Sequence, residues 1–314
     1  MTPGDGARRV RFLRAGLCVL ATTASLLMPE GHALGVSALV VALAVGVPHG
    51  ALDLEDALSV WPRLAHRARV LAFAAAYGAM VAVCFAGWHA LPVLSLSLFL
   101  GLAVLHFGQS DLQLSERPGA AFPWFAALSR GLAAVGLPLL ADPGQSGPVL
   151  AAMTGGGLDV AWMSAPWIAP ARAVIVTGYL AGWMFPRLRA RRDLVVLAEE
   201  CCLLLTLTFT PPLLGFSLYF GLFHGPAHLR AVFDRMQRDS GGAPLRPRIA
   251  RAWWTCALAL AGVAAAGLWW ATRATEASAL DGLTAGLLVM LASLTVPHAA
   301  LVAAIEARRR WRVS

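Results

Sequence analysis

"RVLAFAAAYGAMVAVCFAGW", residues 69–88, decides the fold class. After Arg69 the run has no charged residue. As a helix rising 1.5 Å per residue it covers about 30 Å, the hydrocarbon thickness of a bilayer. The rest of the chain agrees. Of its 314 residues, 58% are hydrophobic and only 13% charged, with a mean hydropathy of +0.67. A soluble domain carries nearly twice that charge. Similar runs recur at about 12–29, 33–49, 92–107, 121–141, 166–185, 194–210, 213–229, 252–271 and 282–305. The expected architecture is an all-α polytopic membrane helical bundle of about ten transmembrane helices.

Junctions between runs carry helix-ending residues. Pro211-Pro212 parts the seventh and eighth runs, and His89-Ala90-Leu91-Pro92 parts the third and fourth. No repeat, low-complexity tract or soluble domain intervenes. The chain reads as one integral membrane domain over 1–314, with a helical catalytic core at 33–306. Residues 1–32 read as an N-terminal anchor, with a signal-like alternative because a basic start precedes the first run. Residues 142–165 read as an external loop or re-entrant segment, too Gly-rich for a helix.

The formal net charge of +8 comes from arginine, since the chain has no lysine. In so apolar a chain this is juxtamembrane charge, and nucleic acid is not an expected partner. Arg8, Arg9, Arg11 and Arg14 precede the first run. Arg187, Arg189, Arg191 and Arg192 follow the sixth, and Arg308, Arg309, Arg310 and Arg312 close the chain. The alternate loops hold almost none, so both termini are expected in the cytoplasm and the protein in the cell membrane. Five cysteines fall inside apolar runs without metal-type spacing and read as small hydrophobes.

Histidines carry the functional signal. His49 ends the second run, His106 the fourth, His224 and His228 lie late in the eighth, and His298 late in the tenth. Even-numbered runs all cross in one direction, which brings the five rings to a common depth of about 17–25 Å. His224 and His228 are four residues apart, the spacing that stacks two ligands on one helix face. His32, His66 and His89 lie at run ends and read as ordinary polar residues.

Carboxylates accompany the rings. Asp53 follows His49 by four residues and Asp111 follows His106 by five, so each is placed to accept an imidazole N–H from that ring and fix its tautomer. Glu199 and Glu200 lie in the seventh run near the same depth. His298 lacks such a nearby carboxylate in sequence. Pro48 and Pro297 precede two of the rings and are expected to loosen the helix there.

Imidazole with few acids and no thiolate suits Fe, Zn, Cu or Ni. Zinc hydrolysis would need a base beside the ligands, and no HExxH occurs. A b-type haem held by pairs such as His49 with His106, and a metal or proton relay of histidines with Glu199, stay open. A site within lipid favours an apolar substrate and redox attack.

"GVPHGALDLED", "HFGQSD", "FGLFHGPAH" and "TVPHAAL", in this order, resemble the Brp/Blh family of bacterial and archaeal beta-carotene dioxygenases, from about Gly46 to Glu306. The resemblance implies an Fe(II)-dependent membrane enzyme that splits beta-carotene at its central double bond with O2. It implies two molecules of all-trans-retinal as products, with a microbial rhodopsin as their acceptor. By motif match it assigns the iron to His49, His106, His224 and His228; His298 matches a recurring Pro-His and is not carried over as a ligand. Asp53, Asp111, Glu199 and His298 are the supporting residues expected from their positions in the sequence. Phe107, Tyr219, Phe220, Phe223, Trp253 and Trp254 are the expected walls of a polyene tunnel.

Overall fold

Proline opens several of the helices, because its fixed φ and missing N–H suit a first helical turn. The computed structural model describes residues 3–27, 32–60, 66–114, 123–187, 194–239, 246–272 and 278–313. Arg189, Arg191 and Arg192, and the side chains of His32, His49 and His66, lie outside the described residues. In chain order the helices are α1 (Pro3–Leu27), α2 (His32–Ala51), α3 (Asp53–Val60), α4 (His66–Ala90), α5 (Pro92–Leu114), α6 (Pro123–Ala141) and α7 (Pro143–Met153). They continue with α8 (Ile168–Tyr179), α9 (Leu194–Phe209), α10 (Pro212–Leu218), α11 (Gly225–Asp239), α12 (Arg246–Ala271) and α13 (Ala279–Val313). No strand occurs among the described residues. The protein is an all-α polytopic membrane bundle.

Eight of the described helices are long and apolar enough to cross a membrane, against ten expected. The two other expected runs are helical but do not qualify. α9 has 16 residues. The run at 213–229 is divided among α10, a π-helical turn at Tyr219–His224 and the polar α11. A second π turn, Leu180–Met184, continues α8. Many apolar side chains on the crossing helices point outward, Leu71, Val83, Leu258 and Leu268 among them, as hydrocarbon requires.

The segment at 142–165, expected to be a re-entrant or interfacial segment or a loop, holds α7 and a 3-10 turn at Ala161–Ser164. Asp142 caps α7: its Oδ1 accepts the Gly144 and Gln145 amides at 3.0 and 3.3 Å, with Pro143 as the first helical residue. Of the glycines that argued against a helix, Gly144 and Gly147 lie inside α7 and the other three lie past its end, where Gly155 and Gly156 take φ of 59° and 78°. Pro48 and Pro297 sit inside α2 and α13, which run on through them.

The helices form two compact units. The first comprises residues 1–42, 103–148 and 159–224, and the second residues 43–102, 149–158 and 225–314. In the first, the C-terminal part of α5 crosses α6 at backbone contact. A Cβ on Gly108 would lie 1.9 Å from the Ala127 carbonyl oxygen, and one on Gly131 would lie 1.8 Å from that of Val104. Glycine is required at both positions, and the crossing is a small-residue pair of the kind that joins membrane helices. α1 packs along α9, where Thr22 and Thr206 hydroxyls meet at 3.1 Å beside the buried Cys18. Arg11 and Arg14 of α1 pair with Glu199 of α9.

In the second unit, α12 and α13 also approach closely: a Cβ on Gly286 would lie 2.6 Å from the Gly267 Cα. Leu52, between α2 and α3, packs with Val232 and Met236 of α11. Asp53, Glu55 and Asp56 crowd the first turn of α3, where a helix dipole favours negative charge. Arg235 of α11 donates to Asp56 at 2.6 Å.

Candidate metal centre

Arg130 is a charged residue in the middle of a crossing helix, and it is buried. Such a charge must find partners. Its Nε donates to Asp111 Oδ2 at 2.7 Å, and its Nη1 donates to Glu200 Oε2 at 3.1 Å and lies 2.8 Å from the Tyr179 hydroxyl. Tyr179 also donates to Glu200. The guanidinium is packed over the rings of Trp183 and Tyr219, at 4.9 and 5.3 Å from their centroids. Both π turns serve this cluster: Tyr179 immediately precedes one that contains Trp183, and Tyr219 opens the other. The extra residue in a π turn re-aims the side chains that follow, which is why such turns collect at sites.

Asp111 passes this order to a histidine. Tyr219 Oη donates to its Oδ2 at 2.9 Å, and its Oδ1 lies 3.2 Å from Nδ1 of His224. An ionised carboxylate only accepts, so Nδ1 carries the proton and the Nε2 lone pair is the one that chemistry offers to a metal. His224 is buried, with Phe107 edge-on at 4.7 Å and Phe220 stacked at 6.0 Å. The His106 ring lies 5.5 Å away at 71°.

The second unit builds a similar arrangement from other helices. Asp53 of α3 holds Nδ1 of His298 of α13 with both oxygens, at 2.8 and 2.9 Å. The Tyr77 hydroxyl of α4 lies 3.2 Å from Asp53 Oδ2 and 3.3 Å from the Leu294 carbonyl. His228 of α11 lies 5.2 Å from His298, ring to ring, at 66°.

Several expected pairings change. The ring that Asp111 braces is that of His224, 113 residues away, where the sequence pointed to His106. Asp53 braces His298, 245 residues away, so the histidine that lacked a carboxylate in sequence has one in space. His49 lies on α2, with its side chain outside the described residues. Glu199 pairs with Arg11 and Arg14, and its neighbour Glu200 is the acid that joins the Arg130 cluster. Phe107, Tyr219, Phe220 and Phe223 are buried near His224, but Trp253 and Trp254 are 70% and 75% exposed and line no interior wall. Sequence reading named Glu200 beside Glu199 but missed Arg130, Tyr179 and Tyr77. The single charge of Arg130 inside an apolar run was the signal for the first two.

Among the described residues no three His, Cys, Asp or Glu side chains gather as a metal-holding group; the rings occur as the pairs His106/His224 and His228/His298. Each pair fits two vertices of a metal site. Rings bound through one nitrogen at about 2.1 Å, at angles of roughly 90–120°, have centroids about 4.6–5.6 Å apart. The observed 5.5 and 5.2 Å fall inside that interval. Imidazoles buttressed by carboxylates are the donor chemistry of iron, zinc and copper sites.

The family model of beta-carotene 15,15'-dioxygenase matches residues 40–306, which contain both ring pairs and both carboxylates. The chain belongs to this family. Helix α1 and most of the basic N-terminal segment precede the matched region. A beta-carotene 15,15'-dioxygenase of an uncultured marine bacterium, 66A03, is 25% identical over 211 residues, 65% of this chain and 71% of its own length. A probable beta-carotene 15,15'-dioxygenase Blh of Halobacterium salinarum is 28% identical over 297 residues, 83% of this chain and 81% of that one. No solved structure matches the chain.

Proposed function

We propose that this family member cleaves beta-carotene at its central double bond with O2, giving two molecules of all-trans-retinal, and that it holds Fe(II) through His49, His106, His224 and His228. The observation that supports this most directly is the braced His224 beside His106, inside the region matched by the family. Ferrous iron would supply O2 activation, which neither an imidazole nor a carboxylate provides.

The chain's residues do the remaining work. Asp111 keeps the proton on Nδ1 of His224 and so keeps Nε2 basic. Arg130 and Tyr219 hold that carboxylate in place, so the ring does not turn when charge changes near it. Phe107 and Phe220 cover the ring and exclude water from it. Their faces also suit a polyene, whose only binding handles are its length and its π surface. The atoms balance: each half of the broken C=C takes one oxygen of O2 and leaves as an aldehyde. The substrate enters from the bilayer, both termini lie in the cytoplasm, and the enzyme works in the cell membrane. The retinal formed is a ligand for a microbial rhodopsin.

Expression in a beta-carotene-accumulating bacterium tests the reading. Loss of orange colour with retinal in the extract supports it. Unchanged carotenoid, with the protein present in the membrane and iron supplied, overturns it.

A further inference from the structure

We infer that His298 is itself a metal ligand, acting with His228 and held in place by Asp53; the inference rests on the iron reading above and adds to its ligand set a histidine outside the four assigned by motif. Three observations lead to it.

The first is ring geometry. His228 and His298 stand edge to face at 5.2 Å, as His106 and His224 stand at 5.5 Å. If His106 and His224 share an ion, the same spacing allows His228 and His298 to share one.

The second is the tautomer. Both Asp53 oxygens lie within 2.9 Å of His298 Nδ1. A proton is therefore on Nδ1, which leaves Nε2, on the far edge of the ring, as the atom a metal would take. This is the carboxylate–imidazole arrangement that stands behind metal ligands.

The third is charge. Asp53 is buried between apolar helices, and among the described residues it meets Tyr77 and His298 but no guanidinium. Arg235, the arginine of α11 that reaches α3, is committed to Asp56 at 2.6 Å. A carboxylate in such a place needs a cation. A divalent ion on the far side of His298 provides it through the imidazole.

The test uses full-length protein purified in detergent, with bound iron counted by elemental analysis and the ferrous nitrosyl adduct read by EPR. Apo protein is titrated with Fe(II) alone. His298→Ala is expected to weaken iron binding at least about 10-fold and to change the rhombicity of the nitrosyl signal, with millimolar imidazole restoring both. Asp53→Asn is expected to weaken binding about 10- to 100-fold. His298→Gln, which keeps the volume, carries the test if the alanine variant does not fold. Wild-type affinity and a wild-type nitrosyl signal in a folded His298 variant overturn the inference. So does weakened binding that imidazole fails to restore and that leaves the signal of the residual iron unchanged, because that is a packing role. Iron in the wild type, lost in His224→Ala but untouched in His298→Ala, sinks only this inference. No iron in the wild type sinks the parent reading with it.

Discussion

Asp111 and Asp53 stand in two different units, yet their surroundings match at three points. Each accepts or meets a tyrosine hydroxyl, each holds Nδ1 of a buried histidine, and each of those histidines has a second imidazole edge-on beside it. The difference is the guanidinium. Arg130 lies 2.7 Å from Asp111 and shares its one positive charge with Glu200, whereas Asp53 has no arginine among the described residues. The Asp111 centre is therefore held in shape by the chain alone. The Asp53 centre is shaped by the chain through His298 and Tyr77, and on the proposed reading a bound cation completes it. On that reading one centre is prebuilt, and the other is completed by what binds.

The largest expected effect breaks the prebuilt centre. Arg130→Gln leaves Asp111 and Glu200 buried without their cation, which costs on the order of 3–5 kcal/mol when one partner of such a pair is lost. Thermal unfolding in detergent reads it as a large drop in midpoint. Arg130→Lys keeps the charge but loses the fork that reaches both carboxylates, and it is expected to fall between the two. A Gln variant as stable as the wild type would show that the cluster is not what holds α6 to its neighbours.

Metal removal reads the comparison directly. With a chelator, amide exchange in α3 and around His298 in α13 is expected to speed up at least about 10-fold, while α6 and the helix at Tyr179 stay protected. Equal change in both regions would erase the distinction between a prebuilt and a completed centre. Asp111→Asn sharpens it from the other side: iron affinity is expected to fall about 10- to 100-fold, since Asn keeps the shape but accepts the imidazole proton less well.

Close helix approaches offer a smaller probe, matched between the units. Gly131→Ala and Gly286→Ala each place a methyl against backbone, and each is expected to cost about 1–3 kcal/mol. Only Gly131 adjoins Arg130, so only its variant is expected to lower iron binding in the protein that remains folded.

Much of the fold was legible in the sequence because lipid imposes a simple demand: long uncharged runs become helices. The runs from 69 to 88 and 121 to 141 read correctly for that reason. The His224–His228 spacing was legible as local geometry. The carboxylate pairings were not, because proximity in sequence favoured His49 for Asp53 and His106 for Asp111, and packing chose partners 245 and 113 residues away. The π turns escaped because a 3.6-residue period assumes every turn has the same number of residues. Tyr179 and Tyr219 are aimed by those turns, and the sequence signal that pointed to their cluster was Arg130, a lone charge in hydrocarbon.

The smallest effect is expected from Glu199, although a carboxylic acid in an apolar run marks a site by default. Its partners are Arg11 and Arg14, whose side chains are 36% and 22% exposed, so solvent screens the pair and its net worth is about 1 kcal/mol or less. Glu199→Gln is expected to leave iron binding and carotenoid cleavage unchanged and to loosen only the packing of α1 on α9, read as faster proteolysis or amide exchange near Arg11. Glu200→Gln, one residue on, removes the acceptor shared by Arg130 and Tyr179 and is expected to lower both stability and iron affinity. Adjacent positions on a helix point about 100° apart, and here that angle separates a fastening for α1 from a member of the Arg130 cluster. Equal loss of iron in the two variants would place Glu199 inside the network and extend the prebuilt centre to α1.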